Sequence, residues 1–197
     1  MGNMKKPNSN SKLILTVGEP AGIGPDITCM LTKYPEIIKN LTIITDPDII
    51  YARAKLLDIP ADNLKYLNFY PIKYKYPVIP SKPNPDNSEV LLESIKIATK
   101  LCADKTYDAM ITGPVNKAVI NQAGFNFKFT GHTNFIADYL SEVKNQSTPF
   151  TPVMMFSYKN LKIALATVHI PLKEVAKTCT KEHLEKTLEI IIQDLKL

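Results

Sequence analysis

Leu13-Ile14-Leu15-Thr16-Val17-Gly18-Glu19-Pro20-Ala21-Gly22-Ile23-Gly24-Pro25-Asp26-Ile27 decides the fold class, because an apolar run breaks into a Gly/Pro loop and then resumes at helical spacing. The run reads as a strand and the loop as a tight turn. Pro25 suits the first turn of a helix, where its missing N–H costs nothing. Gly22 and Gly24 reach backbone angles closed to other residues and let a ligand come close to the main chain. Exposed N–H groups at such a turn suit an anion or a sugar-phosphate, while the plainer reading is a well-built strand-to-helix turn. The spacing is not the GxGxxG of a dinucleotide-binding loop, so no cofactor-binding residue is assigned.

The same rhythm continues along the chain. Residues 41–45 read as a second strand, and Asp46-Pro47 supplies a helix cap and first-turn proline for a segment reaching about Leu57. Residues 65–69 suggest another strand, and residues 70–85, dense in Pro, Tyr and Lys, read as a surface excursion. Asn87 or Ser88 caps a helix with Val90, Leu91, Ile95, Ala98 and Leu101 on one stripe. A short buried strand at 109–112 and a helix at 115–123 closed by Gly124 follow. Beyond Gly131 a helix runs to Leu140. Residues 153–156 and 161–168 then read as a hairpin, and Thr180 caps a final helix with an apolar face of Leu184, Leu188, Ile191, Ile192 and Leu195. Strands alternating with helices predict a parallel or mostly parallel sheet covered on both faces.

Composition excludes several classes. A chain of 197 residues with 45% hydrophobic residues buries a sizeable core, and no apolar run approaches the roughly 18 to 20 residues needed to span a bilayer. The first twelve residues are polar and read as a disordered leader. Their apolar sequel is too short for a signal peptide, and Lys6 stands where a myristoylation site needs Ser or Thr. Cys29, Cys102 and Cys179 are widely spaced with no CxxC pair, as reduced thiols of a cytoplasmic protein would be. The net charge of +5 comes from scattered lysines without an Arg-rich, aromatic-interleaved stripe. That argues against nucleic acid and is compatible with an anionic, phosphorylated substrate.

Three further motifs narrow the reading: Ile111-Thr112-Gly113-Pro114-Val115-Asn116-Lys117, Phe129-Thr130-Gly131-His132-Thr133-Asn134-Phe135 and Ala166-Thr167-Val168-His169-Ile170-Pro171-Leu172. With the opening stretch, in this order, they resemble the 4-hydroxythreonine-4-phosphate dehydrogenase family of vitamin B6 biosynthesis, from about Leu13 onward. The resemblance implies an α/β fold, an isocitrate/isopropylmalate-dehydrogenase-like α/β/α sandwich, of which this sequence matches the N-terminal part and is C-terminally truncated. Domains are expected at 13–128, a first and incomplete subdomain, and 129–197, the start of a second. It also implies a homodimer with composite sites, no membrane and no nucleic acid. The implied reaction is the oxidation by NAD or NADP of 4-phosphooxy-threonine, whose 3-oxo product loses carbon dioxide, with a divalent metal (zinc, magnesium or cobalt) on the alcohol oxygen. The alternative is a truncated, non-catalytic fragment that retains a phosphorylated-ligand half-site.

Read alone, the candidate side chains are less specific. A lone histidine such as His169 is more often a structural hydrogen-bonding group, but at a strand end it suits a divalent metal, and the family motif makes it a metal ligand. His132 and Thr133, in a Gly turn before a helix, either cap that helix, with Thr133 or Thr130 satisfying backbone N–H groups, or by resemblance bind the phosphorylated substrate. Lys117 either faces water or, as the motif favours, places an ammonium near a phosphate or developing alkoxide in a catalytic role, with Asn116 as hydrogen-bonding companion. Glu19 stands where many relatives carry Asp and is not assigned to catalysis. Asp26 is accounted for by the dipole of a first helical turn, and His183 sits among charged residues as a non-ligand.

Overall fold

A computed structural model describes residues 11–195; residues 1–10 of the expected leader lie outside the described residues. The described chain forms two compact units, one up to residue 150 and one from residue 151 onward.

In the first unit the opening stretch folds as its pattern dictates. Strand β1 (Leu13–Thr16) enters the Gly/Pro loop and then helix α1 (Gly24–Met30), with Pro25 in the first turn. A helical turn α2 (Pro35–Ile38) leads to β2 (Leu41–Thr45). Asp46 then caps α3 (Pro47–Leu56), its Oδ1 accepting from the Asp48 N–H at 3.1 Å. A second turn α4 (Ala61–Leu64) precedes β3 (Asn68–Pro71), then α5 (Ser88–Ala103), β4 (Ala109–Thr112), α6 (Lys117–Gln122) and α7 (His132–Val143).

The sheet is parallel throughout, in the order β3-β2-β1-β4, with Leu15 opposite Ile43 and Ile111. Successive side chains serve opposite faces. Leu15 and Ile43 pack with Cys29, Ile50 and Ala54 of α1 and α3, whereas Ile14 and Ile44 pack with Ala98 of α5. A strand buried on both faces needs no polar alternation, which is why β1 and β2 read as continuous apolar runs. Fully burying each such Ile or Leu contributes about 1.5–3 kcal/mol.

Three expectations change. The third strand begins at Asn68, later than its apolar run, because 61–64 winds into α4; Pro71 is tolerated because β3 is an edge strand. The fourth strand is exposed rather than buried: β4 pairs with β1 alone among the described residues, and Ile111 stays 43% exposed. The α5 stripe is wider than expected, adding Leu92, Ser94 and Thr99, because α5 covers the sheet and also packs Leu91, Leu92 and Ile95 against Ile120, Phe129 and Phe135. Ser94 and Thr99 enter that interior by donating to the Leu91 and Ile95 carbonyls of their own helix.

In the second unit, β5 (Met155–Tyr158) and β6 (Leu161–Ala164) form the expected antiparallel hairpin, followed by α8 (Leu172–Thr178) and α9 (Lys181–Leu195). Thr180 Oγ1 accepts from the His183 N–H as the expected cap. Leu184, Leu188 and Ile192 of the α9 apolar face remain exposed.

Candidate functional site

The chain lays down β1, β2 and β3 in one direction and then returns to the other side of β1 for β4. This makes the carboxyl ends of β1 and β4 the switch point at which open α/β sheets hold ligands. The two loops leaving those strands interlock. Gly113 N–H donates to the Thr16 carbonyl at 2.7 Å, and Glu19 N–H donates to the Pro114 carbonyl at 2.8 Å. A Cβ on Gly24 would lie 1.9 Å from the Val17 oxygen, one on Gly113 2.1 Å from the same oxygen, and one on Gly18 2.3 Å from the Pro114 oxygen. These glycines admit neighbouring backbone, not a ligand, so the plainer reading of the opening loop holds for Gly24. At Gly22 the fit is less severe but still tight, the nearest atoms being those of Glu19 at 3.3 Å.

Arg53 fixes this loop from α3, a role the sequence did not announce. Its guanidinium donates to the Gly22 carbonyl at 3.1 Å and the Pro20 carbonyl at 3.5 Å, and its Nε lies 3.3 Å from the Asp26 carboxylate. Asp26 therefore has a partner in addition to its place in the first turn of α1.

Between the interlocked loops lies a groove of about 560 Å³, lined by Glu19, Gly22, Ile23, Pro83, Asn116 and Lys117. Glu19 is buried, with one carboxylate oxygen accepting from the Ala21 N–H at 3.2 Å, and burial raises its carboxyl above the ordinary range. Asn116 caps α6, its Oδ1 accepting from Ala118 N–H at 3.1 Å and Val119 N–H at 3.3 Å. Its amide N–H₂ remains the group it can offer a ligand. Lys117, first residue of α6, extends to Gly131: a Cβ placed there would lie 3.5 Å from the lysine Nζ.

Gly131 is the N-cap of α7, at φ 153° and ψ 173°, a conformation essentially restricted to glycine. Among the described residues no side chain caps this twelve-residue helix. Thr130 is instead paired with Asn134 Nδ2 at 2.9 Å, and Thr133 is exposed, so neither threonine fills the capping role. His132 opens the helix with its ring edge-on to Phe129, and its Nε2 is buried with no hydrogen-bond partner among the described residues. Burial, and secondarily the Lys117 ammonium, hold its pKa below the ordinary histidine value. Asn121 positions this turn by pairing with both backbone groups of Phe129, at 2.8 and 3.1 Å, a clamp with no signature in the sequence.

Lys117, Asn116, His132 and Thr133 thus belong to one unit, and Lys117 is the link between groove and helix start. His169 belongs to the other. It is exposed, in left-handed backbone at φ 55°, in the loop after β6 rather than at the strand end. Among the described residues no group of three or more His, Cys, Asp or Glu side chains converges as a metal site. His183 acts structurally, its Nε2 bonded to the Ala166 carbonyl. A second groove of about 460 Å³ runs between α3 and residues 74–80, but its charged groups are paired internally, Asp46 with Lys73 and Arg53 with Asp26. No helix of the described residues is long and apolar enough to cross a membrane.

Comparison with known proteins bears on this arrangement. The family described as "Pyridoxal phosphate biosynthetic protein PdxA" matches residues 35–197. The 4-hydroxythreonine-4-phosphate dehydrogenase of Methylococcus capsulatus is 37% identical over 197 residues, covering 93% of this chain and 56% of the relative. That of Vibrio cholerae is 35% identical, covering 95% and 58%. The chain therefore spans little more than half the length of these curated relatives. The crystal structure of the Klebsiella pneumoniae 4-hydroxythreonine-4-phosphate dehydrogenase superimposes with a TM-score of 0.78 at 20% identity, over 94% of this chain and 59% of that one. A terephthalate 1,2-cis-dihydrodiol dehydrogenase from Burkholderia xenovorans gives 0.61 at 18% identity, over 95% and 57%. At such identities the structural likeness establishes the fold alone.

Proposed function

Because the chain belongs to the 4-hydroxythreonine-4-phosphate dehydrogenase family, we propose that it serves the NAD(P)-dependent, divalent-metal-assisted oxidation of 4-phosphooxy-L-threonine. The product, 2-amino-3-oxo-4-phosphooxybutanoate, loses carbon dioxide to give 3-amino-2-oxopropyl phosphate on the way to pyridoxine 5'-phosphate. In this reading the part described here is the phosphate-holding half of the site. The observation that carries it is His132, whose buried Nε2 lacks a partner beside the Lys117 ammonium, at the uncapped start of α7. A phosphate there gains the imidazole, the Thr133 hydroxyl and the first-turn N–H groups as donors, with Lys117 supplying charge. The same ammonium, reaching into the groove, is placed to stabilise negative charge developing on the alcohol oxygen, and the Asn116 amide is a donor beside it.

When bound, NAD(P) supplies the hydride acceptor and a divalent metal supplies Lewis acidity. The described residues do not by themselves fit either group. His169 is a single exposed imidazole where catalytic zinc uses three protein ligands, and the opening glycines are filled by backbone instead of cradling a pyrophosphate. The reading also carries a cytoplasmic homodimer. A second reading, a non-catalytic half-site for a phosphorylated ligand, is favoured by the lack of a converging metal set among the described residues.

Formation of NADH by the purified chain with 4-phosphooxy-L-threonine, NAD and a divalent metal separates the two. The dehydrogenase reading predicts turnover that falls about 10²- to 10³-fold in Lys117→Ala. Binding of the substrate by folded chain without turnover assigns the half-site; neither binding nor turnover overturns both.

A further inference from the structure

Residues 72–81 of the Pro- and Tyr-dense excursion have no part in the phosphate reading, yet the fold pins them from end to end. The Ile72 N–H donates to the Thr45 carbonyl at 3.0 Å, and the Ser81 N–H to the Ala21 carbonyl at 2.8 Å. Between them the Lys73 ammonium lies 2.8 Å from Asp46 and the Lys75 ammonium 2.7 Å from Glu89. The buried side chain of Asn87 takes both backbone groups of Tyr76, accepting from its N–H and donating to its carbonyl, each at 3.3 Å. A surface segment held in this way is a fixed wall. The groove of about 460 Å³ between it and α3 has the size of a small-molecule site and needs little ordering to receive a ligand.

The walls are apolar, with Ile49, Ala52 and Leu56 on the α3 side and Tyr76, Pro77 and Pro80 on the other. Leu56 and Tyr76, 66% and 46% exposed, leave that surface to water. Each charged group lining the groove has an opposite charge beside it: Asp46 and Asp48 share Lys73, Arg53 holds Asp26, and Lys75 holds Glu89. A charged ligand would lose hydration here without gaining a free partner. One polar group is different. Tyr74 lines the groove half-buried, and its hydroxyl makes no hydrogen bond among the described residues. Burial, and then the Glu19 and Asp46 carboxylates, hold the phenol well above the usual tyrosine range, so it remains an O–H donor. We propose that this groove is a binding site for an uncharged aromatic heterocycle, its ring against Leu56, Tyr76 and Pro77 and its ring nitrogen accepting from the Tyr74 hydroxyl. The site stands independently of the phosphate reading, since it shares no lining residue with the groove of Lys117.

NMR titration of the 197-residue chain with quinoline tests the site, with N-methylquinolinium as a probe of the same shape that carries a fixed positive charge and no acceptor. Quinoline is expected to give saturable shifts at amides of α3 and residues 74–80, with a dissociation constant of about 0.1–1 mM. N-methylquinolinium is expected to bind at least about tenfold more weakly. Ala52→Phe fills the groove from an exposed position of α3 and is expected to weaken quinoline at least about tenfold. Tyr74→Phe keeps the apolar wall and is expected to weaken quinoline about 3- to 10-fold while leaving the cation unchanged. Urea midpoints close to that of wild type establish that the variants are folded. The absence of saturable shifts in wild type overturns the proposal, as does affinity for the cation equal to or above that for quinoline. So does an affinity left unchanged by folded Ala52→Phe or Tyr74→Phe. Shifts centred on residues 116–119 and 131–133 would put the ring in the other groove and overturn it equally.

Discussion

Burial and the Lys117 ammonium hold the His132 imidazole below the ordinary histidine range, so the ring is neutral at pH 7 while its Nε2 lacks a partner. With the folded value depressed, the stability this favours is present above the ordinary pKa of about 6.5 and is lost as pH falls through the lowered value. A dianion seated against the ring reverses the bias, since opposite charge favours the imidazolium. Sulfate, which does not titrate in this range, isolates that effect. NMR titration of the His132 ring is therefore expected to show a midpoint below the ordinary histidine value in low-salt buffer and a higher one with saturating sulfate. A midpoint unmoved by sulfate would mean that the anion binds elsewhere. The sequence singled out His132 through its motif, and the structure places its ring against Phe129 with a buried Nε2. The burial of Glu19 was not legible, because a carboxylate in a turn has the same sequence appearance whether or not a cation is folded against it.

At the scale of elements, what the sequence disclosed was local. The apolar run into a Gly/Pro loop, the Asp46-Pro47 cap and the Thr180 cap each depend on neighbours in the chain, and each forms as expected. What it withheld depends on which of several available partners a polar side chain takes. Thr130 and Thr133 had the chemistry of caps, yet Asn134 and solvent take them, and the Asn121 clamp that fixes the turn spans residues of no diagnostic type. Arg53 belongs to the same class: an arginine on a helix face looks solvent-directed until α3 packs beside the opening loop. Its removal would leave the Asp26 carboxylate, about one-fifth exposed, and two loop carbonyls without their partner. Arg53→Ala is accordingly expected to lower unfolding free energy by about 2–4 kcal/mol, more than an exposed pair would contribute. Urea denaturation measures it; a loss below about 0.5 kcal/mol would show that the staple carries little.

For the whole molecule, the first unit is a complete local argument, a parallel sheet with helices on both faces and a groove at its switch point, whereas much apolar surface stays open. Ile111 on the outer strand, and Leu172, Leu188 and Ile192 in the second unit, are all more than 40% exposed. The chain spans 56–58% of the length of its curated relatives, so the parts of the proposed reaction that need a metal set and a dinucleotide are those for which the described residues supply least. The proposed phosphate-holding half rests on Lys117 beside Gly131 and on the buried His132 at the start of α7. Calorimetric titration of 4-phosphooxy-L-threonine into wild type and Lys117→Ala addresses that half directly. The account predicts saturable one-to-one binding by wild type, weakened at least about tenfold by the loss of one charge-assisted contact. Equal affinity in the two proteins, or no binding by a folded wild-type chain, would contradict it.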